Sequence, residues 1–198
     1  YGENPHQESA IYSKDEEIKI SQIHGKALSY NNYNDIFSAL IISKSLPKNT
    51  GTVIVKHSNP CGVSALKNNF DSFKSALACD PISAFGGIVS FNFRVNKTLA
   101  NELNKIFLEV IIANGFDSSA LKILKRKKNL RLIDANKFSI EQTLKFNSIN
   151  NSMLIQADDD HFFSKNNFKI VSKKKPNKSQ LENLIFALNI CRHVKSNA

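Results

Sequence analysis

The chain has 198 residues, 41% of them hydrophobic and 22% charged. That excludes a disordered polymer and a fibrous repeat and leaves one large domain or two small ones, long enough to bury a true core. Lys plus Arg number 27 against 17 Asp plus Glu, a formal charge of +10, which admits nucleic acid or another anionic partner. The excess is mostly lysine, with 23 Lys and 4 Arg beside 24 Asn and 21 Ile. Lys, Asn and Ile share A/T-rich codons, so base composition alone yields this pattern, and a phosphate-reading surface more often uses Arg forks. No apolar run approaches the roughly 18 residues of a membrane span. Cys61, Cys79 and Cys191 are odd in number and far apart, which argues for a reducing, cytoplasmic compartment. No C-x-x-C, H-E-x-x-H or paired-His spacing offers a zinc site. The chain opens on Tyr1 without a leader pattern, and reads as a piece of a longer polypeptide.

The first 30 residues are rich in turn formers and predict irregular chain. A helix is predicted from about Asn34 to Ser45, with Ile36, Phe37, Leu40 and Ile41 on one face and Pro47 closing it. Thr52–Lys56 is a continuous β-branched run, the pattern of a buried strand, and Asn59–Gly62 reads as a turn. Phe70–Cys79 predicts a helix and Gly87–Phe91 a second buried strand. Asn96 caps a helix whose stripe is Leu99, Leu103, Ile106 and Phe107. Glu109–Ala113 is a third strand. Asp117 caps a helix that ends in the cations Lys125–Lys128, and Leu130–Ile133 is a fourth strand. This alternation predicts an α/β fold with a mainly parallel sheet covered on both faces, over residues 1–135. From 136 to 178 the pattern weakens to an irregular connection. Within it Met153–Ala157 and Phe168–Ser172 read as short strands. A Ser179/Glu182 capping box then opens a helix with Leu184, Ile185, Leu188 and Cys191 inward, the start of a second, truncated unit over 179–198.

Val55–Gly62 is the most informative segment for chemistry. Lys56 and His57 stand where a buried strand meets a tight turn, and open α/β sheets bind ligands at the carboxyl ends of strands. A His there moves a proton near pH 7, and a neighbouring Lys holds an anion or oxyanion. The same pair also occurs as plain surface decoration. Asp80–Gly87 carries two glycines before a strand, which suits close ligand approach or a simple turn. Glu109 opens an apolar strand, where a carboxylate is costly unless paired, ligand-bound or at the solvated edge. Tyr1–Gln7 is polar and turn-rich, and as a bare sequence also fits a frayed terminus. His161 reads as surface, His193 as a helix cap and His24 as a loop residue. Phe37, Phe73 and Phe107 read as core by spacing, and Lys122–Arg131 as a solvated basic face.

Taken together, Tyr1-Gly-Glu-Asn-Pro-His-Gln7, His24-Gly-Lys-x-Leu-Ser-Tyr-Asn-Asn32, Lys56-His-x-Asn-Pro-Cys-Gly62, Asp80-Pro-x-Ser-Ala-Phe-Gly-Gly-Ile88, Glu109-Val-Ile-Ile-Ala113 and Lys127-Lys-Asn-Leu-Arg131 occur in fixed order. They resemble the transformylase domain of the bifunctional purine-biosynthesis family, phosphoribosylaminoimidazolecarboxamide formyltransferase / IMP cyclohydrolase, over almost the whole chain. The resemblance implies a cytidine-deaminase-like three-layer fold without a catalytic metal. It implies formyl transfer from 10-formyltetrahydrofolate to the 5-amino group of AICAR ribonucleotide, with cyclisation to IMP left to a domain absent here. It implies a homodimer with shared active sites, and neither nucleic acid nor membrane as partner. By motif, Lys56 and His57 correspond to the catalytic pair, and Tyr1, Asn32, Gly86, Glu109 and Asn197 to the AICAR-binding set. The chain departs from the family where Asn114 replaces a common Pro and where Asn151-Ser152 replaces a common Gly pair. The family's Arg before the Tyr and most of the second half of its domain lie outside this chain, so the chain alone is expected to be inactive. Two rivals stand beside this reading. A nucleic-acid module would draw on the +10 charge. A zinc nucleotide deaminase would need a His/Cys/Cys set, and Pro60-Cys61 lacks the second Cys three residues on.

Overall fold

The computed structural model describes residues 1–13, 18–140 and 144–195. The chain falls into two compact units, 1–139 and 140–198. The first is built on a six-stranded sheet: β1 (Ser21–His24), β2 (Thr52–Lys56), β3 (Asn59–Ser64), β4 (Ile88–Phe91), β5 (Val110–Ala113) and β6 (Arg131–Asp134), in the spatial order β1-β6-β5-β4-β2-β3. β4, β5 and β6 are mutually parallel, β2 is antiparallel to both β3 and β4, and β1 is antiparallel to β6. Thus β3, β4, β5 and β6 point one way and only β1 and β2 oppose them.

Helices α1 (Tyr30–Ser45), α2 (Asn69–Cys79), α3 (Lys97–Asn104) and α4 (Ser118–Leu124) cover the sheet. Side chains alternate across each strand. Ile54, Val89, Ile111 and Leu132 join Phe73, Leu99, Leu103 and Leu124 in one core beneath α2, α3 and α4. Val53, Val55, Ile88, Val110, Ile112 and Ile133 are equally buried and point to the opposite face. There α1 lies, joined to the sheet by a buried Ser43–Ser90 hydroxyl hydrogen bond of 2.9 Å. Burial on both faces is why these strands read as unbroken apolar runs. The result is the expected three-layer α/β class, with a mixed sheet.

Caps set the helix starts. Ser29 and Asn32 form a reciprocal capping box, so α1 begins at Tyr30, four residues before the predicted start. Asn68 and Asn96 cap α2 and α3 through their side chains. Asp117 precedes α4 as predicted but makes no side-chain cap bond, and lies 3.7 Å from Arg94 instead.

Three features of this unit depart from the sequence reading. β1 forms within the stretch predicted irregular, because four polar-flanked residues on a sheet edge carry too little pattern to register. Asn59–Gly62 is not a turn but the start of β3. Pro60 is tolerated because β3 is an edge strand, and the reversal is confined to His57 and Ser58. Phe107 is not core. α3 ends at Asn104, which leaves Phe107 53% exposed with its ring 5.2 Å from that of Phe85. Phe73 is buried as predicted, and Phe37 is half-buried against Phe138.

The carboxyl end of α1 is tied down by Asn92. Its Nδ2 donates to the carbonyls of Ser43, Leu46 and Pro47 at 3.0, 3.4 and 2.9 Å, and its Oδ1 accepts from the Gly51 N–H at 2.8 Å. Asn114 extends the network by donating to the Asn92 carbonyl and accepting from Lys44 Nζ. Asn114 thereby has a structural use.

The second unit contains the hairpin β7 (Leu144–Ile149) and β8 (Ser152–Ala157), a 3₁₀ turn (Lys165–Asn167) and helix α5 (Lys178–Cys191). β8 matches the strand predicted at Met153–Ala157, whereas Phe168–Ser172 forms no strand. The register places Leu144, Phe146, Met153 and Ile155 on one face, all exposed. The capping box of α5 is Asn177 with Gln180, two residues before the predicted one. Leu184 is exposed rather than inward, while Ile185, Leu188 and Cys191 are half-buried. Buried Asn189 anchors the preceding loop by exchanging two hydrogen bonds with the Phe163 backbone, at 2.9 and 2.8 Å. Arg192, not His193 as expected, is the C-cap of α5, and His193 follows it.

Two outcomes are expected. Asn92→Ala strips a buried N–H and several carbonyls of partners, and should cost about 2–3 kcal/mol in urea denaturation. The His193 imidazole is pushed down to about 4, chiefly by burial and then by the Arg192 and Lys145 charges. A folded-state value below the ordinary 6.5 means that the unfolded chain takes the proton first. Stability of the α5 region should therefore be full above pH 6.5 and fall as pH drops toward 4. Amide exchange of residues 190–194 across that range should show the loss, and His193→Gln should flatten it.

Candidate active site

One edge of the first unit's sheet gathers most of the motif residues. The carboxyl end of β2 carries Lys56 and His57. Because β2 is antiparallel to β4, with Val55 opposite Ile88, this end abuts Gly86 and Gly87 at the amino end of β4. β5 is parallel to β4, with Val110 beside Ile88, so Glu109 falls on the same edge. β6 continues it, with Arg131 beside Val110. These motif residues thus gather at the carboxyl ends of β2 and β1 and at the amino ends of β4, β5 and β6. Lys56 and His57 stand at a strand's carboxyl end as expected, and Gly86 and Glu109 join them from strand starts.

Backbone hydrogen bonds stitch the edge. The Gly86 N–H donates to the Phe107 carbonyl at 2.9 Å, the Glu109 N–H to Gly87 at 3.1 Å and the Arg131 N–H to Glu109 at 3.1 Å. The start of α1 arrives at the same place. Asn32, 6% exposed, donates from Nδ2 to Glu109 Oε2 at 3.2 Å. Arg131 Nη1 lies 3.8 Å from that oxygen, and its Nε donates to the Ala27 carbonyl. Glu109 is therefore neither free nor buried, but a partly exposed carboxylate between an amide and a guanidinium. Tyr1 is exposed, and its carbonyl accepts from the Tyr30 N–H at 3.2 Å. That bond turns the opening motif into a strap on α1 rather than a frayed end. Asn197 lies outside the described residues.

Lys56 is half-buried and its Nζ donates to the Phe85 carbonyl at 3.0 Å. His57 is exposed, with φ +53°. Asp80 faces Lys56. Hydrogen bonds from the Ser83 hydroxyl and amide, and then the Lys56 charge, hold its carboxyl below the usual range, so it is an anion at neutral pH. Burial, followed by the Asp80 charge, pushes the Cys61 thiol up, which disfavours a thiolate nucleophile there. Lys56 and Asp80 thus supply fixed opposite charges beside an exposed imidazole. Phe85 and Phe107, 61% and 53% exposed with rings 5.2 Å apart, add a paired aromatic surface next to Gly86. Sequence periodicity missed both, and the signal available was Phe85 standing directly before the glycine pair.

His24 also belongs to this edge. It ends β1, half-buried, with Nε2 3.2 Å from the Lys127 carbonyl, so it is a strand residue and not a loop one. Lys127 donates to the Ile106 carbonyl, and burial lowers its ammonium below the ordinary lysine range. Part of the predicted basic face is therefore structural. Among the described residues no group of three or more His, Cys, Asp or Glu side chains is arranged to hold a metal ion. Among them, too, no helix is long and apolar enough to cross a membrane.

Two glycines of these motifs tolerate a side chain differently. A Cβ on Gly62 would lie 2.0 Å from the Ala76 carbonyl of α2, so Gly62→Ala should displace that helix and cost more than about 3 kcal/mol. A Cβ on Gly86 meets only the Phe107 ring at 3.5 Å, but φ is +73°, so Gly86→Ala should cost about 1–2 kcal/mol. Urea denaturation of both variants checks the order.

The sequence pattern of the AICARFT/IMPCHase bienzyme family matches residues 1–198. The chain is 42% identical over 202 residues to the bifunctional purine biosynthesis protein PurH of Thermoanaerobacter sp. (strain X514), covering 100% of this chain and 39% of that protein. It is 40% identical to the PurH of Acetivibrio thermocellus, covering 40% of it, and 43% identical to that of Leptospira biflexa serovar Patoc, covering 39%. The chain therefore spans about two fifths of the length of these relatives. Matched along its whole length by the family pattern, the chain belongs to the AICARFT/IMPCHase bienzyme family.

Proposed function

We propose that this chain carries the catalytic edge of a formyltransferase of purine biosynthesis. It would move the formyl group of 10-formyltetrahydrofolate to the 5-amino group of AICAR ribonucleotide, within a full-length polypeptide that also holds IMP cyclohydrolase. The observation that carries the reading is the convergence of Lys56, His57, Gly86, Glu109 and Asn32 on one sheet edge, from four separate sequence motifs of this family.

The chemistry explains the residue types. The AICAR amine is a weak nucleophile, because its lone pair is delocalised into the ring and carboxamide. As its nitrogen bonds to the formyl carbon, it must shed a proton. His57 takes that proton, a contribution of roughly 10²–10⁴-fold. Lys56 stabilises the oxyanion that develops on the formyl oxygen. When the tetrahedral centre collapses, the bond from the formyl carbon to N10 of the folate breaks, and N10 takes up a proton. The products are formyl-AICAR ribonucleotide and tetrahydrofolate. Holding both substrates at one edge supplies a further share of the rate.

Glu109 is assigned the ribose hydroxyl or amine region, Asn32 the orientation of Glu109, and Gly86 a backbone approach to the base. Tyr1 and Asn197 complete the proposed AICAR-binding set. The exposed rings of Phe85 and Phe107 suit a flat heterocycle. The proposal includes a homodimer with shared sites acting in the cytoplasm, and assigns no part of the reaction to a metal.

The test follows tetrahydrofolate release by absorbance in the full-length polypeptide, given AICAR ribonucleotide and 10-formyltetrahydrofolate. His57→Ala should lower kcat by at least two decades with the KM for AICAR ribonucleotide little changed. An unaltered kcat would remove His57 from this role, and no turnover by the folded wild type would sink the formyl-transfer reading.

A further inference from the structure

We infer that Asp35 is a positioning residue for His57, clamping the strained turn that presents the imidazole. The inference rests on the formyl-transfer reading only for its activity measurement, since the clamp itself is a matter of geometry.

β2 and β3 are joined by two residues. Lys56 pairs with Asn59, so His57 and Ser58 are the whole connection. Their φ angles are +53° and +59°. Two successive left-handed residues make the mirror-image turn that matches strand twist, but that turn favours Asn-Gly, not two residues with ordinary side chains. Each therefore carries the left-handed steric penalty; within the turn, Asn59 Nδ2 donates to the His57 carbonyl at 3.3 Å.

The offset comes from α1. Asp35 Oδ1 accepts the Ser58 N–H at 2.7 Å and the Ser58 hydroxyl at 3.2 Å. Ser58 is 9% exposed, so water competes poorly for its amide, and a charged acceptor makes the stronger kind of hydrogen bond. The helix beneath is firm, fixed by the Ser29–Asn32 capping box and by buried Ile36, Ala39 and Leu40.

The spacing adds meaning. Asn32 and Asp35 are three residues apart and share one side of α1. The first bonds Glu109 just before β5 and the second bonds Ser58 after β2. One helical turn thus sets His57 relative to the carboxylate assigned to AICAR ribonucleotide. Losing Asp35 should let the turn relax and the imidazole wander, while Glu109 and the AICAR contacts stay in place.

The experiment has two readouts and three variants, Asp35→Ala, Asp35→Asn and the double variant Asp35→Ala/Ser58→Gly. In the 198-residue chain, Asp35→Ala should speed exchange of the Ser58 amide at least 10-fold and leave Val53 to Val55 protected. In the full-length polypeptide it should lower kcat about 10- to 100-fold with the KM for AICAR ribonucleotide within twofold. Glycine adopts the left-handed turn without a clamp, so the double variant should regain at least fivefold of the lost kcat. Asp35→Asn keeps an acceptor and should fall between, and it decides the matter if Asp35→Ala does not fold. Unchanged Ser58 protection overturns the inference, as does a kcat that glycine fails to rescue or an effect confined to KM. If the wild type transfers no formyl group, the formyl-transfer reading fails, and the exchange data still decide the clamp.

Discussion

β2 runs against β4, β5 and β6, and the site depends on that reversal. A strand's carboxyl end is where its last side chain meets solvent and the chain turns. If β2 were parallel to β4, Lys56 would emerge at the opposite edge, roughly 13 Å away along a four-residue strand. The reversal instead sets Lys56 and His57 beside Gly86 and Glu109. It also requires the shortest of connections to β3, and so places the proposed base within a tight turn and not on a loose loop. The same edge receives the amino end of α1, which brings Asn32 to Glu109 at 3.2 Å.

Close packing keeps this edge in shape. Gly62 lets α2 approach β3 so nearly that its Ala76 carbonyl occupies the space of a Cβ. At the far end of α1, Asn92 gathers three carbonyls and one N–H into a single amide. The helix is thus fixed at both ends, and its first turns act as a ruler between strands. Charges on the edge are set by local partners. Ser83 and Lys56 keep Asp80 ionised, while burial keeps the Cys61 thiol protonated. The chemistry left to the edge is that of an exposed imidazole and an ammonium.

The interior strands were legible in the sequence, because burial on both faces writes the plain apolar runs Thr52–Lys56 and Ile88–Phe91. The Asn96 cap was legible too, since a cap is a local bond between residues two or three apart, whereas Asp117 stands at its helix start without making that bond. The edge strands were not legible. Ser21–His24 and Leu144–Ile149 are short, polar or solvent-facing, and Asn59–Ser64 contains a proline and a glycine that imitate a turn. Phe107 misled for a related reason, as a helical stripe was extended past Asn104, where the helix stops. Among the proposed site residues, Lys56, His57, Gly86 and Glu109 stood out through motif order, and Phe85 and Phe107 did not. Asp35 looks like any acidic residue on a helix, and only its bond to Ser58 gives it a task.

By itself the sequence determined what local forces govern: the α/β class, most helix starts, the doubly buried strands, and, through ordered motifs, the family. It also determined which residue types were available, namely one exposed His beside a Lys and one carboxylate at a strand mouth. Only the tertiary structure decided that these meet, and at which edge. Strand direction and register among β2, β4, β5 and β6 are set by pairing between residues about 20 to 40 positions apart. That pairing energy is spread over whole strands and leaves no mark on any single residue. The left-handed turn at His57 and Ser58 belongs to the same class, because neither residue favours it alone and a carboxylate from another element makes it tenable.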